Sequence, residues 1–349
     1  MEQKKSVWLS LIAIVMLLLA ACTNEGEAET PLPHEEGDAI EPEEEPVTQY
    51  MAPFTGILSE EKITRRPVLV TINNHPQARP QSGISEADII YEMAAEGNVT
   101  RLLALFQTEL PEEIGPVRSA RDYFAHIANG LDAFYVAHGY SPDAQQLLNN
   151  QVVDHVNGMQ YDGTLFWRSN DRRAPHNSYI SEENILTAAE KTDSVMEISV
   201  LPPFSFHESI EDAKIEDQTA SIVVRYGSDP KFTSTYTYDA LAGTYGRAVN
   251  GVSTVDKVDE VPVELANILV FEATHRTIDS IGRQSIDIES GGKGMLFQAG
   301  IAKEIEWENR DGILTPVENG SPSKLVPGKT WIHIVSANPG MDSSVTYTP

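Results

Sequence analysis

Apolar and polar residues alternate between two regimes along this chain. From Arg66 to Asn74 a β-branched run bounded by polar turn residues predicts a buried strand. Ala87 to Ala95 and Arg101 to Thr108 predict two more. Glu96-Gly97-Asn98 between them carries hairpin residues, so these two should be antiparallel neighbours. Gly115-Pro116 then predicts a helix from Pro116 to Asn129, because proline suits the first helical position. An apolar strand follows from Ala133 to His138. Ser141-Pro142-Asp143 caps a short helix reaching Asn149, and a further helix starts at Ser181 and runs to about Glu190. Beyond Leu201-Pro202-Pro203-Phe204 only strands are predicted: 221–226, 232–238, 245–249, 267–274, 283–288, 295–297, 302–307 and 330–335. Gly291-Gly292-Lys293-Gly294 reads as a hairpin turn. The pattern therefore describes an α+β chain, with an N-terminal mixed-sheet α/β domain at 55–200 and a β-rich C-terminal domain at 201–349.

The first residues follow neither regime. Lys4 and Lys5 precede a largely apolar run, Leu9 to Ala20, that is short for a membrane span. Leu19-Ala20-Ala21-Cys22 closes it, and this pattern resembles the bacterial lipobox, in which the cysteine is acylated after cleavage. Residues 1–21 are thus expected to be a signal peptide, Cys22 the lipidation site, and the chain an anchored protein on the outer face of the bacterial cytoplasmic membrane. An uncleaved membrane anchor is the alternative. Cys22 is the only cysteine, so disulfides and thiolate chemistry are excluded elsewhere. Residues 22–54 read as a tether, with glutamates and prolines interleaved and few large apolar residues to bury.

Net charge narrows the partners. Residues 1–46 carry eleven acidic and two basic side chains, which leaves −18 of the total −27 on the rest. Nucleic acid needs a basic footprint and is not expected as a partner. Anionic lipid would repel this body, so the acyl chains should do the anchoring.

Against that acidic background the basic residues of the first half stand out. Arg118 and Arg121 are three apart and would share one face of the predicted helix, with Asp122 four after Arg118. Arg79, Glu92, Arg101, His138, Arg168 and His176 fall where strands or loops meet helix starts, the usual place for binding groups on a layered scaffold. Guanidiniums in such a cluster suit carboxylate or phosphate. The competing reading is an Arg–Asp network that only stitches helix to sheet. If the chain is an enzyme, His138 and His176 are the candidate bases, with Asp122 or Asp143 to orient them and Ser119 or Ser141 as nucleophile. His75, His126, His138, His155 and His176 lack the spacing of a zinc helix, and neither metal nor cofactor is expected. Trp307 and Trp331, on alternating strands, should pack inward.

Several stretches together resemble the YerB-like lipoproteins of Gram-positive bacteria, a family defined by a two-part domain of unknown function. They are Arg66–Asn74, Ala78-Arg79-Pro80-Gln81-Ser82-Gly83, Ala87–Glu92, Gly115–Arg121, His138-Gly139, Ala174-Pro175-His176-Asn177 and Pro327–Trp331. The resemblance implies an extracytoplasmic α+β lipoprotein and implies no reaction. The residues themselves favour a non-enzymatic envelope lipoprotein that binds an anionic ligand or an envelope protein partner, with a possible link to cell-wall metabolism. A cell-wall-modifying enzyme acting on an anionic peptidoglycan, teichoic-acid or polyprenyl-phosphate substrate is the alternative.

Overall fold

Six consecutive residues, Val68–Asn73, are buried in the computed structural model, and they sit near one end of the sheet that organises the molecule. The structure describes residues 48–213 and 221–348. The expected signal peptide, Cys22 and the tether as far as residue 47 lie outside the described residues. Contacts group Val47–Pro349 as one unit.

The Val68–Asn73 strand pairs antiparallel with Val99–Phe106 and parallel with Phe134–Ala137. Ile89–Glu96 lies antiparallel on the other side of Val99–Phe106, as the Gly97-Asn98 turn predicts. The next neighbour of Ile89–Glu96 is Thr330–Ser336, in parallel, followed by Asn267–Ala273 and then Gly292–Gln298, Ile301–Arg310 and Ile313–Glu318 as a meander. One mixed sheet of eleven strands thus takes its members from both halves of the sequence. A second, six-stranded antiparallel sheet comes from the C-terminal half, with Ser221–Arg225, Thr233–Asp239 and Thr244–Val249 at its centre.

Both faces of the central part of the large sheet are covered, which is why its middle strands read as apolar runs, whereas Ile301–Arg310 near one edge alternates buried and exposed residues. Successive side chains alternate between two cores. Val68, Val70 and Ile72 join Ile185 and Ala188 of the Glu182–Lys191 helix and Ile222, Val224 and Tyr236 of the small sheet. Leu69 joins Tyr123, Phe124 and Ile127 of the Asp122–Gly130 helix and Leu148 of the Pro142–Asn149 helix on the opposite face. Ser141 and Ser181 cap their helices by accepting from the N–H groups of Ala144 and Asn184. Trp307 and Trp331 are buried, as alternation predicts. The glycine run at 291–294 departs from expectation. A strand already starts at Gly292, and a Cβ there would meet the Glu272 carbonyl oxygen at 2.7 Å. The glycines clear space for the Trp307 indole, whose Nε1 donates to that same carbonyl at 2.9 Å.

Where the two sheets face each other the core is polar. Glu92 is 1 % exposed and accepts from Asn74 Nδ2 (3.0 Å), Thr100 Oγ1 (2.9 Å), Arg247 Nη2 (2.9 Å) and Trp331 Nε1 (3.1 Å). The Arg247 guanidinium stacks on Trp331 at 4.0 Å. His333, two residues along the same face, lies between the hydroxyls of Tyr236 (2.6 Å) and Tyr226 (3.1 Å). The charged neighbours hold the Glu92 carboxyl below its usual range despite burial, whereas burial pushes His333 down to about 4.

Removing one member of the buried pair strands the other. Glu92→Gln should cost about 3–5 kcal/mol in urea denaturation. The unfolded chain protonates His333 near 6.5 while the folded protein keeps it neutral to about 4. In that window the unfolded state binds more protons, so stability falls as pH drops from 6.5 toward 4. Melting curves across this range should show the decline, and His333→Gln should flatten it.

Candidate functional site

The segment 114–120 is extended rather than helical. It forms single bridges to Ile180 from Ile114, to Ser82 from Gly115, to Ile72 from Val117 and to Tyr140 from Ala120. The helix begins only at Asp122, with Arg121 as its N-cap at φ −126° and ψ 158°. This corrects the expected start at Pro116, and the physical consequence is large. Side chains three apart share a face of a helix but take opposite faces of an extended chain. Arg118 and Arg121 therefore part company.

Arg121 turns to Glu96, which it shares with Arg101; Arg101 Nη2 reaches the two Glu96 oxygens at 2.8 and 2.9 Å. Arg101 also donates to the Ser119 carbonyl, and both guanidiniums are buried. Burial lowers each of them, Arg101 to about 10. This trio ties the 89–106 hairpin to the start of the helix. Asp122 does not hold Arg118. Its carboxyl is raised by burial and accepts from the backbone of Asp122 and Tyr123 at the helix N-terminus. Glu92, another candidate, has all its contacts in the core described above.

Arg118 points elsewhere and is left over. Its side chain is half-buried and has no hydrogen bond or ion pair among the described residues. Burial, then Arg101 and Arg168, pull it to about 10, so it stays charged at neutral pH. Its field acts on three imidazoles: His75, His138 and His176.

His75 and His176 form a stacked pair, with ring centroids 4.6 Å apart and planes inclined by 20°. Asn73, at the end of its strand, sets their tautomers. Its Oδ1 accepts from the His75 backbone N–H at 3.0 Å, so its Nδ2 faces His176 Nδ1 at 2.8 Å and donates to it. His75 Nδ1 likewise accepts from the Gln77 N–H at 3.2 Å. Both neutral rings consequently carry their proton on Nε2, and neither Nε2 has a partner among the described residues. Burial keeps both imidazoles below the ordinary range. Arg79, Arg118 and Lys231 add to this at His75, and His75, Arg118 and Arg172 add to it at His176.

Two more arginines complete this face. Arg79 donates only to carbonyl oxygens, at Asn74 Oδ1 (3.1 Å), Asn74 O (2.7 Å) and Lys231 O (2.9 Å). Arg172 donates to the Tyr179 hydroxyl and the Pro80 carbonyl. Neither has a carboxylate within ion-pair distance among the described residues. Three guanidiniums without a contact ion pair among the described residues thus neighbour two N–H donors in a protein of net charge −27.

His138 and Arg168 belong to a neighbouring arrangement. Arg168 grips Asp162 through Nε (3.1 Å) and Nη2 (2.9 Å) and donates from Nη2 to His138 Nε2 at 2.9 Å. A guanidinium can only donate, so His138 Nε2 accepts and its Nδ1–H goes to Ser178 Oγ at 2.7 Å. Burial and Arg168 hold His138 below its usual range. Ser119 Oγ donates to the His138 carbonyl, and Ser141 Oγ is a helix cap, so neither hydroxyl meets an imidazole nitrogen. The structure brings Arg79, Arg118 and His176 around one spot with His75 and Arg172, which sequence reasoning did not select. Their signal was present in Asn73-Asn74-His75, polar residues at the end of a fully buried strand, and in Arg172.

Comparison with known proteins gives a consistent family. Residues 54–195 match the model described as the N-terminal domain of a protein of unknown function, DUF3048, and residues 222–332 match its C-terminal domain. The chain is 42 % identical over 341 residues to the Bacillus subtilis (strain 168) protein named "Putative lipoprotein YerB", covering 97 % of each. A crystal structure of YerB from Bacillus subtilis superposes with a TM-score of 0.79 at 43 % identity, covering 86 % of this chain and 100 % of that one.

Arg118 depresses the imidazoles around it by repulsion between like charges. Arg118→Ala should therefore move the NMR titration midpoints of His75, His138 and His176 upward. Because Arg118 holds no internal partner among the described residues, the same variant should not lower the unfolding free energy by more than about 0.5 kcal/mol.

Proposed function

The chain belongs to the DUF3048 family, and from that premise we propose that it is a lipid-anchored envelope protein that binds an anionic ligand on the face formed by Arg118, His75 and His176. Acylation of Cys22 would hold the body at the outer face of the cytoplasmic membrane; the leader pattern and the name of the Bacillus subtilis relative support this. The observation that carries the binding reading is the Arg118 guanidinium, half-buried and without an acceptor among the described residues. Taking a charge partly out of water without a partner costs free energy. An anion brought to that face would offset the cost, accepting from Arg118 and from the Nε2–H groups of the stacked histidines.

Binding fits the site better than turnover does. The lone pair of His138 Nε2 is taken by Arg168, and that of His176 Nδ1 by Asn73. A general base needs a free lone pair within reach of the substrate proton. The donors here suit a phosphate or carboxylate group, the chemistry carried by peptidoglycan peptides, teichoic acids and polyprenyl phosphates outside the membrane.

Calorimetric titration with inorganic pyrophosphate and with the dipeptide D-alanyl-D-alanine tests the proposal and separates the two anion types. One probe should bind saturably, Arg118→Ala should weaken it at least tenfold, and affinity should fall with added salt. Arg310→Ala, whose guanidinium pairs with Glu308, should leave it unchanged. Absence of binding by both probes at millimolar concentration, or affinity that survives Arg118→Ala, overturns the reading.

A further inference from the structure

One cavity lies away from the arginine face. It has a volume of about 520 Å³, within the ~300–1,000 Å³ of small-molecule sites. The turn of the 89–106 hairpin, the end of the Ser221–Arg225 strand, the His275–Thr277 strand with its partner Gln284, and the segment 336–344 enclose it. Its lining is mainly hydroxyls, amides and backbone, with Ala94 and Pro339 as apolar members. Among the described residues Arg225 and His275 are its only ionisable groups besides Tyr226, and no carboxylate or lysine contributes.

Unmet hydrogen-bonding capacity collects here. His275 Nδ1 donates to the Ala273 carbonyl at 2.9 Å, so its Nε2 is an acceptor, and that atom is buried without a partner. The amide nitrogen of Gln284 donates to Thr277 Oγ1 and to the Gly282 carbonyl, both at 3.0 Å, leaving its Oε1 open. Arg225 donates from Nη1 to Thr346 Oγ1 at 3.0 Å, and its remaining N–H groups have no acceptor among the described residues. The side chains of Asn98 and Ser343 have no hydrogen-bond partner among the described residues either. Gly227, at φ +123°, makes room for the first of these: a Cβ there would lie 2.3 Å from Asn98 Nδ2.

We infer that this cavity is a binding site for a neutral saccharide. A sugar hydroxyl both donates and accepts, so a ring carrying several matches a wall that sets an open acceptor (Gln284 Oε1) beside open donors (Arg225, Asn98, Ser343). An apolar ligand would leave those groups stranded, at the full desolvation cost of each. A multiply charged anion would find a single guanidinium and face the acceptor lone pairs. The site is independent of the anion face, since the two share no lining residue.

Titration of the isotope-labelled protein with N-acetylglucosamine, its trimer and maltotriose, followed by NMR, tests the inference. At least one should give saturable shifts in the side-chain amides of Asn98 and Gln284 and in the His275 ring. Asn98→Ala and Ser343→Tyr change exposed residues, so the fold should be kept. Each should weaken binding at least fivefold, while Arg118→Ala leaves it unchanged. No saturable shift with any of the three sugars, or binding that persists in both variants, overturns the inference.

Discussion

The buried Glu92–Arg247 pair is the contact on which the rest of the architecture turns. Glu92 belongs to a central strand of the large sheet, Arg247 to the small one, and Trp331 and His333 to the strand beside Glu92. Two ions cannot be placed in such a core without well-aimed partners, because desolvation otherwise exceeds their attraction. The carboxylate has its four donors, and the guanidinium has Ser234 and Thr254 besides. A register slip of one residue in either sheet would turn Arg247 or Glu92 to the opposite face. The pair therefore contributes more to the choice of one packing than to net stability.

That clamp also reaches the arginine face. Asn74 donates from Nδ2 to Glu92 and accepts at Oδ1 from Arg79 Nε and Gln81 Nε2. Its neighbour Asn73 holds the backbone of His75 and the ring of His176. Two adjacent amides at the end of one strand thus connect the inter-sheet core to the stacked imidazoles. A fixed frame of this sort lowers the ordering cost a ligand must meet on arrival. It also explains how Arg79 and Arg172 are held beside the stacked imidazoles without a contact ion pair among the described residues: carbonyl and phenol oxygens anchor them.

Much of this was legible from periodicity. The α+β class, the hairpin at Gly97-Asn98, the capped helices at Ser141 and Ser181 and the inward tryptophans all follow from local chemistry that tertiary structure reinforces. The segment from Ile114 to Arg121 was not legible, because proline after glycine serves an extended turn as readily as a helix start. What decides between them is pairing with Ser82, Ile72 and Ile180, residues distant in sequence. One wrong period then misplaced a pair of arginines. Glu92 shows a second limit: a glutamate in an apolar strand signals an unusual environment, yet its partner Arg247 lies 155 residues away.

The protonation states sharpen what the arginine face can do. In an acidic protein a stacked histidine pair might be expected to charge readily, yet burial and the surrounding guanidiniums hold both rings neutral, with their protons outward. Such rings donate without adding charge. On the proposed reading the attraction for an anion would rest on Arg118, with the imidazoles supplying direction through their Nε2–H groups. An incoming anion would weaken the repulsion that keeps the imidazoles neutral, so binding and proton uptake are linked in sign: each favours the other. On the proposed reading a site built on that coupling would respond to both the ligand and the acidity of its surroundings, which a face of ion-paired arginines such as Arg101 and Arg121 could not do.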